Sequence, residues 1–203
     1  MLTKAIAVAV GVLAGGAGLA VADGTYFGIT GGVARATSGV GSFGPEESMA
    51  TLTNLGAIAG YRMDNGGNFF GGEFNAEFSI GDEFTDDPGG QTCSAGANGP
   101  YYCRHDATLR LRGIAGTTLA NGNEVFGSLG VVQIRGESAT GTSTVAAVTS
   151  TGFTAGLGMT MSGLGSAGTT RVEIVLDKAD NSNEPSGYQP TYQAVSLIVG
   201  FMF

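Results

Sequence analysis

Several ionisable residues recur at even spacing within segments that are otherwise apolar: Glu73 and Glu77, Arg110 and Arg112, Arg171 and Glu173. Even spacing places the members of each pair on one face of an extended chain. Acids and guanidiniums that share the inner side of several strands can pair, forming either a polar plug or a gate that rearranges. Two other groups invite different chemistry. Cys93 and Cys103, the only two cysteines, could close a disulfide or contribute thiolates to a metal site. His105, the single histidine, stands beside Asp106 as a base next to an acid. A lipid hydrolase or acyltransferase built on that pair would need a serine in reach, and no serine motif surrounds it. The expectation is a surface-loop histidine in a chain that is not an enzyme and carries no cofactor.

The elements that must position these charges read as strands. Alternating segments cover 25–37, 51–63, 68–80, 107–119, 124–135, 151–161, 169–178 and 192–203. Each is about the length a tilted strand needs to cross a bilayer. Asp64-Asn65-Gly66-Gly67 and Ala120-Asn121-Gly122-Asn123 separate neighbours by tight-turn chemistry. In the third segment Phe70, Phe74 and Phe78 oppose Glu73, Asn75 and Glu77, and in the fourth Leu109, Leu111 and Leu119 oppose Thr108, Arg110 and Arg112. The seventh sets Val172, Ile174 and Leu176 against Arg171, Glu173 and Asp177. Gly28, Gly32, Gly152, Gly156 and Gly158 fall on the polar face among Thr30, Thr154 and Thr160, where small residues leave room for larger ones. In the fifth segment Phe126, Val132 and Ile134 compete with Val125, Leu129 and Val131 for the apolar side, and a bulge near Gly130 is expected to reconcile them.

Composition fits a sheet closed on itself. The chain has 37 Gly, no Trp, 13% charged residues and a net charge of −8, too Gly-rich for a helical protein and too uncharged for a disordered one. Lys4 is the only charge ahead of an apolar run that ends Ala20-Val21-Ala22. That pattern describes a signal peptide over residues 1–22, cut between Ala22 and Asp23; a permanent membrane helix is the alternative. Losing Lys4 leaves 8 basic and 17 acidic residues, a balance of −9 with no basic patch for nucleic acid. Connections alternate between short and long, as in barrels with short periplasmic turns and long outer loops. An all-β, eight-stranded antiparallel up-and-down transmembrane barrel follows, forming one domain over 23–203. A soluble β-sandwich would instead turn its polar faces outward.

An Arg on the lipid face at mid-membrane costs roughly 2 to 4 kcal/mol, so the strand charges should point into the lumen. Counting from the turns predicts contacts among Glu77, Arg110 and Arg112, with Glu73 and Glu173 nearer the periplasmic end. Tyr192 to Phe203 alternates without exception, with Val195, Leu197, Val199, Phe201 and Phe203 on one face. It resembles the terminal strand of bacterial outer-membrane barrels, in which the last Phe belongs to the signal read by the insertion machinery. Phe201 and Phe203 are expected to face lipid and Met202 the lumen, with this strand paired to the first.

Gly60-Tyr61-Arg62-Met63, the run Phe69 to Phe78, and Thr154 to Met159 followed by Arg171-Val172-Glu173 resemble the eight-stranded OmpA-like and Opa-like superfamily. The resemblance spans the mature chain and implies the same barrel. It places the family's inward acid on Glu73, whereas the partner Arg of the fifth strand falls on Ser128.

Export favours a Cys93–Cys103 disulfide over a metal site, in a loop that also carries Asp82, Glu83, Asp86 and Asp87. The functional expectation is a monomeric outer-membrane protein with a role in envelope structure and surface contact. Its partners would be membrane lipid, lipopolysaccharide and the insertion machinery, with any outer-loop ligand unidentified. A narrow passive channel and an adhesin or receptor are the alternatives.

Overall fold

The computed structural model describes residues 24–40, 46–80, 84–86, 102–140, 144–162, 168–180 and 190–203. They form strands β1 (Thr25–Val40), β2 (Glu46–Asn65), β3 (Asn68–Ile80), β4 (Thr85–Asp86), β5 (Tyr102–Thr118), β6 (Glu124–Thr140), β7 (Thr144–Ser162), β8 (Thr169–Asp180) and β9 (Pro190–Met202). β4 is a two-residue addition to the outer end of β2. The other eight pair antiparallel in chain order, and β9 closes on β1. The expected eight-stranded up-and-down barrel is the observed fold.

The register fixes its geometry. Pairing leads from Gly28 through Ile58, Asn75, Arg110, Val132, Gly152, Ala179 and Tyr192 back to β1 at Ser38. A stagger of ten residues between Gly28 and Ser38 tilts the strands by about 40°. The β2–β3 hairpin is as tight as its sequence suggests. Asn65 pairs with Asn68, leaving Gly66 and Gly67 at φ 59° and 92°, both in the left-handed region that a twist-matched two-residue turn demands.

Polarity is inverted relative to a water-soluble domain. Phe70, Phe74 and Phe78 of β3, Val131 of β6, Ile174 of β8 and Val195, Leu197 and Val199 of β9 all lie exposed on the outside. Leu129 and Leu157 reach 67% and 74% exposure, while Glu73, Glu77, Arg110 and Arg112 are buried within. An outer wall of bare Leu, Val and Phe over a charged interior suits hydrocarbon rather than water.

Two expectations change here. β6 alternates without interruption, with no bulge at Gly130. Its odd positions simply face out, and Phe126, Val132 and Ile134 pack inside. The bulges lie instead in β5, between Tyr102 and Arg104 and between His105 and Ala107, and in β2 at Glu47, opposite the step from Ser38 to Gly39 of β1. Finally, much of what reads as loop after the first and fifth segments continues as strand. β2 and β7 run 20 and 19 residues, well past the span a bilayer requires. The segment 1–22, the Ala22/Asp23 cut, Cys93 and the acids Asp82, Glu83 and Asp87 lie outside the described residues.

At the seam, the Phe203 amide donates to Phe27 O at 2.8 Å, and Phe27 N donates back at 3.4 Å. Phe203 is exposed, Phe201 partly so and Met202 buried, as the alternation predicts.

Candidate functional site: the layered lumen

Inward residues stack in storeys along the barrel axis. At the mouth beside the short β2–β3 and β5–β6 turns Arg62 pairs with Asp64 and Glu124, each at 2.8 Å, and its guanidinium lies 4.5 Å from the Phe69 ring centre. Phe69, Ile114 and Phe126, with Tyr26 against them, form an apolar floor. Between rim and floor is a vestibule of about 390 Å³ whose inner end is lined by Tyr26 and Arg171.

Above the floor, two acids and two arginines alternate in a closed square. Arg112 donates to Glu173 at 2.8 Å and to Glu73. Arg171 donates to Glu73 at 2.5 Å and to Glu173 at 2.8 Å. The hydroxyls of Tyr26 and Ser128 add donors to Glu73 and Glu173 at 2.7 and 2.9 Å. Arg171 also stacks 4.2 Å over Phe126, tying the square to the floor. Charge balances within the square, which is what allows four buried ions to persist in a water-poor lumen.

The next storey centres on Arg110. Its Nε and Nη2 grip Asp177 at 3.0 and 2.6 Å, while Nη1 reaches Asn75 Oδ1 at 2.7 Å and Glu77 at 2.8 Å. This corrects the predicted grouping. Glu77 does meet Arg110, but Arg112 belongs with Glu73 and Glu173, and Asp177 completes the upper set. Register explains it: Arg112 sits directly opposite Glu73 and Arg110 opposite Asn75, so neighbouring arginines on one strand serve different storeys. Ser128, where the family's Arg was expected, hydrogen-bonds Glu173, and Arg112 and Arg171 supply the positive charge from other strands.

His105 is fully buried, contrary to a surface-loop reading. Ser79 donates to Asn54 at 2.7 Å, so His105 Nδ1 donates to Ser79 Oγ at 2.5 Å and Nε2 accepts from Thr108 at 2.9 Å. The ring holds the Ser79 oxygen as a donor, and stacks 5.4 Å from Tyr192. The β5 bulges turn it inward, a detail periodicity cannot reveal. Above it Leu52, Ile134, Val148, Tyr192 and Phe84 close the outer mouth as an apolar plug. Phe84 arrives from the segment between β3 and β5, held by its amide to Cys103 O at 2.8 Å.

Glycine makes the crowding possible. A Cβ on Gly156 would stand 2.4 Å from Glu173 Oε1 and 2.6 Å from Ser128 Oγ. Gly156 therefore clears space for the ion network, as Gly56 does beside Glu77, whereas Gly28 and Gly158 make room for Met202 and Phe126, and Gly32 and Gly152 for the backbone of the neighbouring strand.

No family model and no curated protein matches the chain. Among solved structures it is similar to Neisserial surface protein A at 14% identity and TM-score 0.54, over 89% of this chain and 96% of that one. It also aligns with OprG of Pseudomonas aeruginosa at 13% identity and TM-score 0.49, over 89% and 96%. Ail, the attachment invasion locus protein of Yersinia pestis, solved with the heparin analogue sucrose octasulfate, aligns at 13% identity and TM-score 0.47, over 90% and 100%. The polar, layered lumen within an apolar wall is thus carried on the fold of the small eight-stranded outer-membrane barrels.

Proposed function

We propose that the chain is an integral outer-membrane barrel with a closed lumen, serving envelope structure and surface contact through its outer end. Inverted polarity supports this most directly, because an apolar wall around a charged interior is stable only in lipid. The lumen is obstructed at the floor, at both ion storeys and at the outer plug. On this reading residues 1–22 are a signal peptide removed between Ala22 and Asp23, and Phe201 and Phe203 belong to the signal read by the insertion machinery. Cys93 of the second outer loop forms a disulfide with Cys103 on β5; no described residue is a free cysteine. The hydrogen-bonded seam leaves no open barrel edge for a second copy, which supports a monomer. Its partners are membrane lipid and lipopolysaccharide, with no nucleic acid.

Recording from the refolded chain in planar bilayers tests the closed lumen. A silent bilayer supports it. A steady conductance abolished by Glu77→Gln or Arg110→Ala establishes a narrow passive channel instead. An adhesive role draws support from the length of β2, β6 and β7, which extends the barrel wall beyond the lipid. Deleting 87–101, which spares Phe84 and β5, would abolish binding to cells or matrix if adhesion is the function.

A further inference from the structure

Along most strands the outward face changes character at the outer end. On β1 the apolar run stops at Val33 and Arg35 follows; on β6 it stops at Val131, then Gln133 and Arg135; on β8 it stops at Leu176 and Lys178 follows. β2, β7 and β9 make the same change, from Leu55 to Thr53, Phe153 to Thr151 and Val195 to Gln193. These positions mark where hydrocarbon gives way to headgroups. The cations are not distributed at random. Arg110, Arg112 and Arg171 face the lumen and Arg62 bonds Glu124 in the mouth beside the short turns. Every other described Arg or Lys, namely Arg35, Arg104, Arg135 and Lys178, stands outside at this outer edge. Arg104 is committed to Asp106 at 2.8 Å and faces Glu137 at 3.6 Å. Arg35 and Arg135 are exposed and, among the described residues, meet only neutral groups: Thr51 and Met49 for the first, Gln133 for the second.

We propose that Arg35 and Arg135 form a collar that binds the phosphate groups of a phosphorylated lipid in the outer leaflet. Placing uncompensated guanidiniums at headgroup height in a chain whose mature balance is −9 calls for an anion there. A guanidinium offers phosphate two parallel N–H donors, which suits a fixed ester at the membrane surface better than a diffusing counterion. Arg35 on β1 and Arg135 on β6 lie on well-separated parts of the wall, so the collar gathers separate lipid molecules rather than one. The inference rests on the membrane-spanning reading above and deepens it by naming the lipid chemistry and the residues.

The test uses the full refolded chain in phosphatidylcholine vesicles doped with a diphosphorylated lipid A or with the same lipid after dephosphorylation. Lipid retained on the protein is counted by native mass spectrometry. The collar predicts preferential retention of the phosphorylated form, falling to roughly 60% for Arg35→Gln or Arg135→Gln, where one of two separate sites is weakened about fivefold, and about fivefold for the double variant. Arg35→Lys with Arg135→Lys keeps an intermediate level, and Arg62→Gln, at the opposite end, leaves retention unchanged. Equal retention of both lipids, or an unaffected double variant, overturns the collar. Displacement of the lipid by excess inorganic phosphate would also overturn it, since the site would then be a general anion site. Failure of the chain to insert as a protease-protected β-protein defeats the membrane reading itself, whereas insertion without lipid discrimination defeats only the collar.

Discussion

The two halves of the lumen are closed by different physics. The half beside the short turns, the lower half, holds a square of Glu73, Arg112, Glu173 and Arg171, where each ion is compensated by two others. The outer half is closed by Leu52, Ile134, Val148, Tyr192 and Phe84, where nothing is charged. An ionic layer depends on stoichiometry: removing one member strands its partners. An apolar layer depends on volume, and its losses scale with the space left behind. The lower half should therefore be the more brittle to a single change and the upper half the more forgiving.

Glu73→Ala is the sharpest way to break that contrast. It leaves Arg112 and Arg171 with a single acid between them and removes the acceptor of the Tyr26 hydroxyl. The expected loss is about 3 to 5 kcal/mol, read as a lowered midpoint in a urea titration of vesicle-reconstituted protein followed by circular dichroism. A loss below about 1 kcal/mol would mean that the square is hydrated and contributes little. Leu52→Ala, at 0% exposure in the plug, is expected to cost less, about 2 to 4 kcal/mol. The two residues share no partner and are separated by the Arg110 storey, so the double variant should show the sum of the single losses. Strong non-additivity would indicate that the halves form one cooperative unit.

How much of this the sequence discloses follows the same division. Which face each charge occupies is legible, because period two is a local property and every inward Arg and Glu obeys it. Which charges touch is not, because pairing depends on register around a tilted barrel: Arg112 meets Glu73 because β3 and β5 pair with those two residues opposite each other, and the long connection between these strands carries no tight turn from which that offset could be counted. Asp177 reads as inward but reaches Arg110 only across the lumen. The outer plug is less legible still. His105 is buried through bulges, and Phe84 through a fold of the segment beyond β3; neither leaves a periodic signature. Strand ends are hidden where β7 continues beyond the apolar belt with polar outward residues such as Thr149, which mimic loop composition.

Gly156→Ala probes the square from the side of volume. The added methyl would collide with Glu173 Oε1 and Ser128 Oγ, both ends of side chains rather than backbone. Displacing Glu173 should weaken its bonds to Arg112 and Arg171, for an expected loss of about 1 to 3 kcal/mol in the same titration. Pairing it with Ser128→Ala removes one of the two obstructions and should recover part of that loss. If no recovery occurs, the crowding is set by the carboxylate alone.

The smallest effect is expected where an ion pair sits in the mouth rather than the lumen. Arg62 makes the same kind of contacts as Arg112, bonding Asp64 and Glu124 at 2.8 Å, yet its side chain is 25% exposed against 1% for Arg112. Water in the vestibule can replace the lost donor, and Asp64, at 63% exposure, is largely solvated already. Arg62→Gln should therefore cost less than about 1 kcal/mol, with the remaining loss reporting its stacking on Phe69. Because both arginines bond two carboxylates, the ratio of the Arg62→Gln and Arg112→Gln losses isolates burial from contact number. A ratio near one would show that it is the number of ion contacts, and not their exclusion from water, that makes the lower half of the lumen brittle.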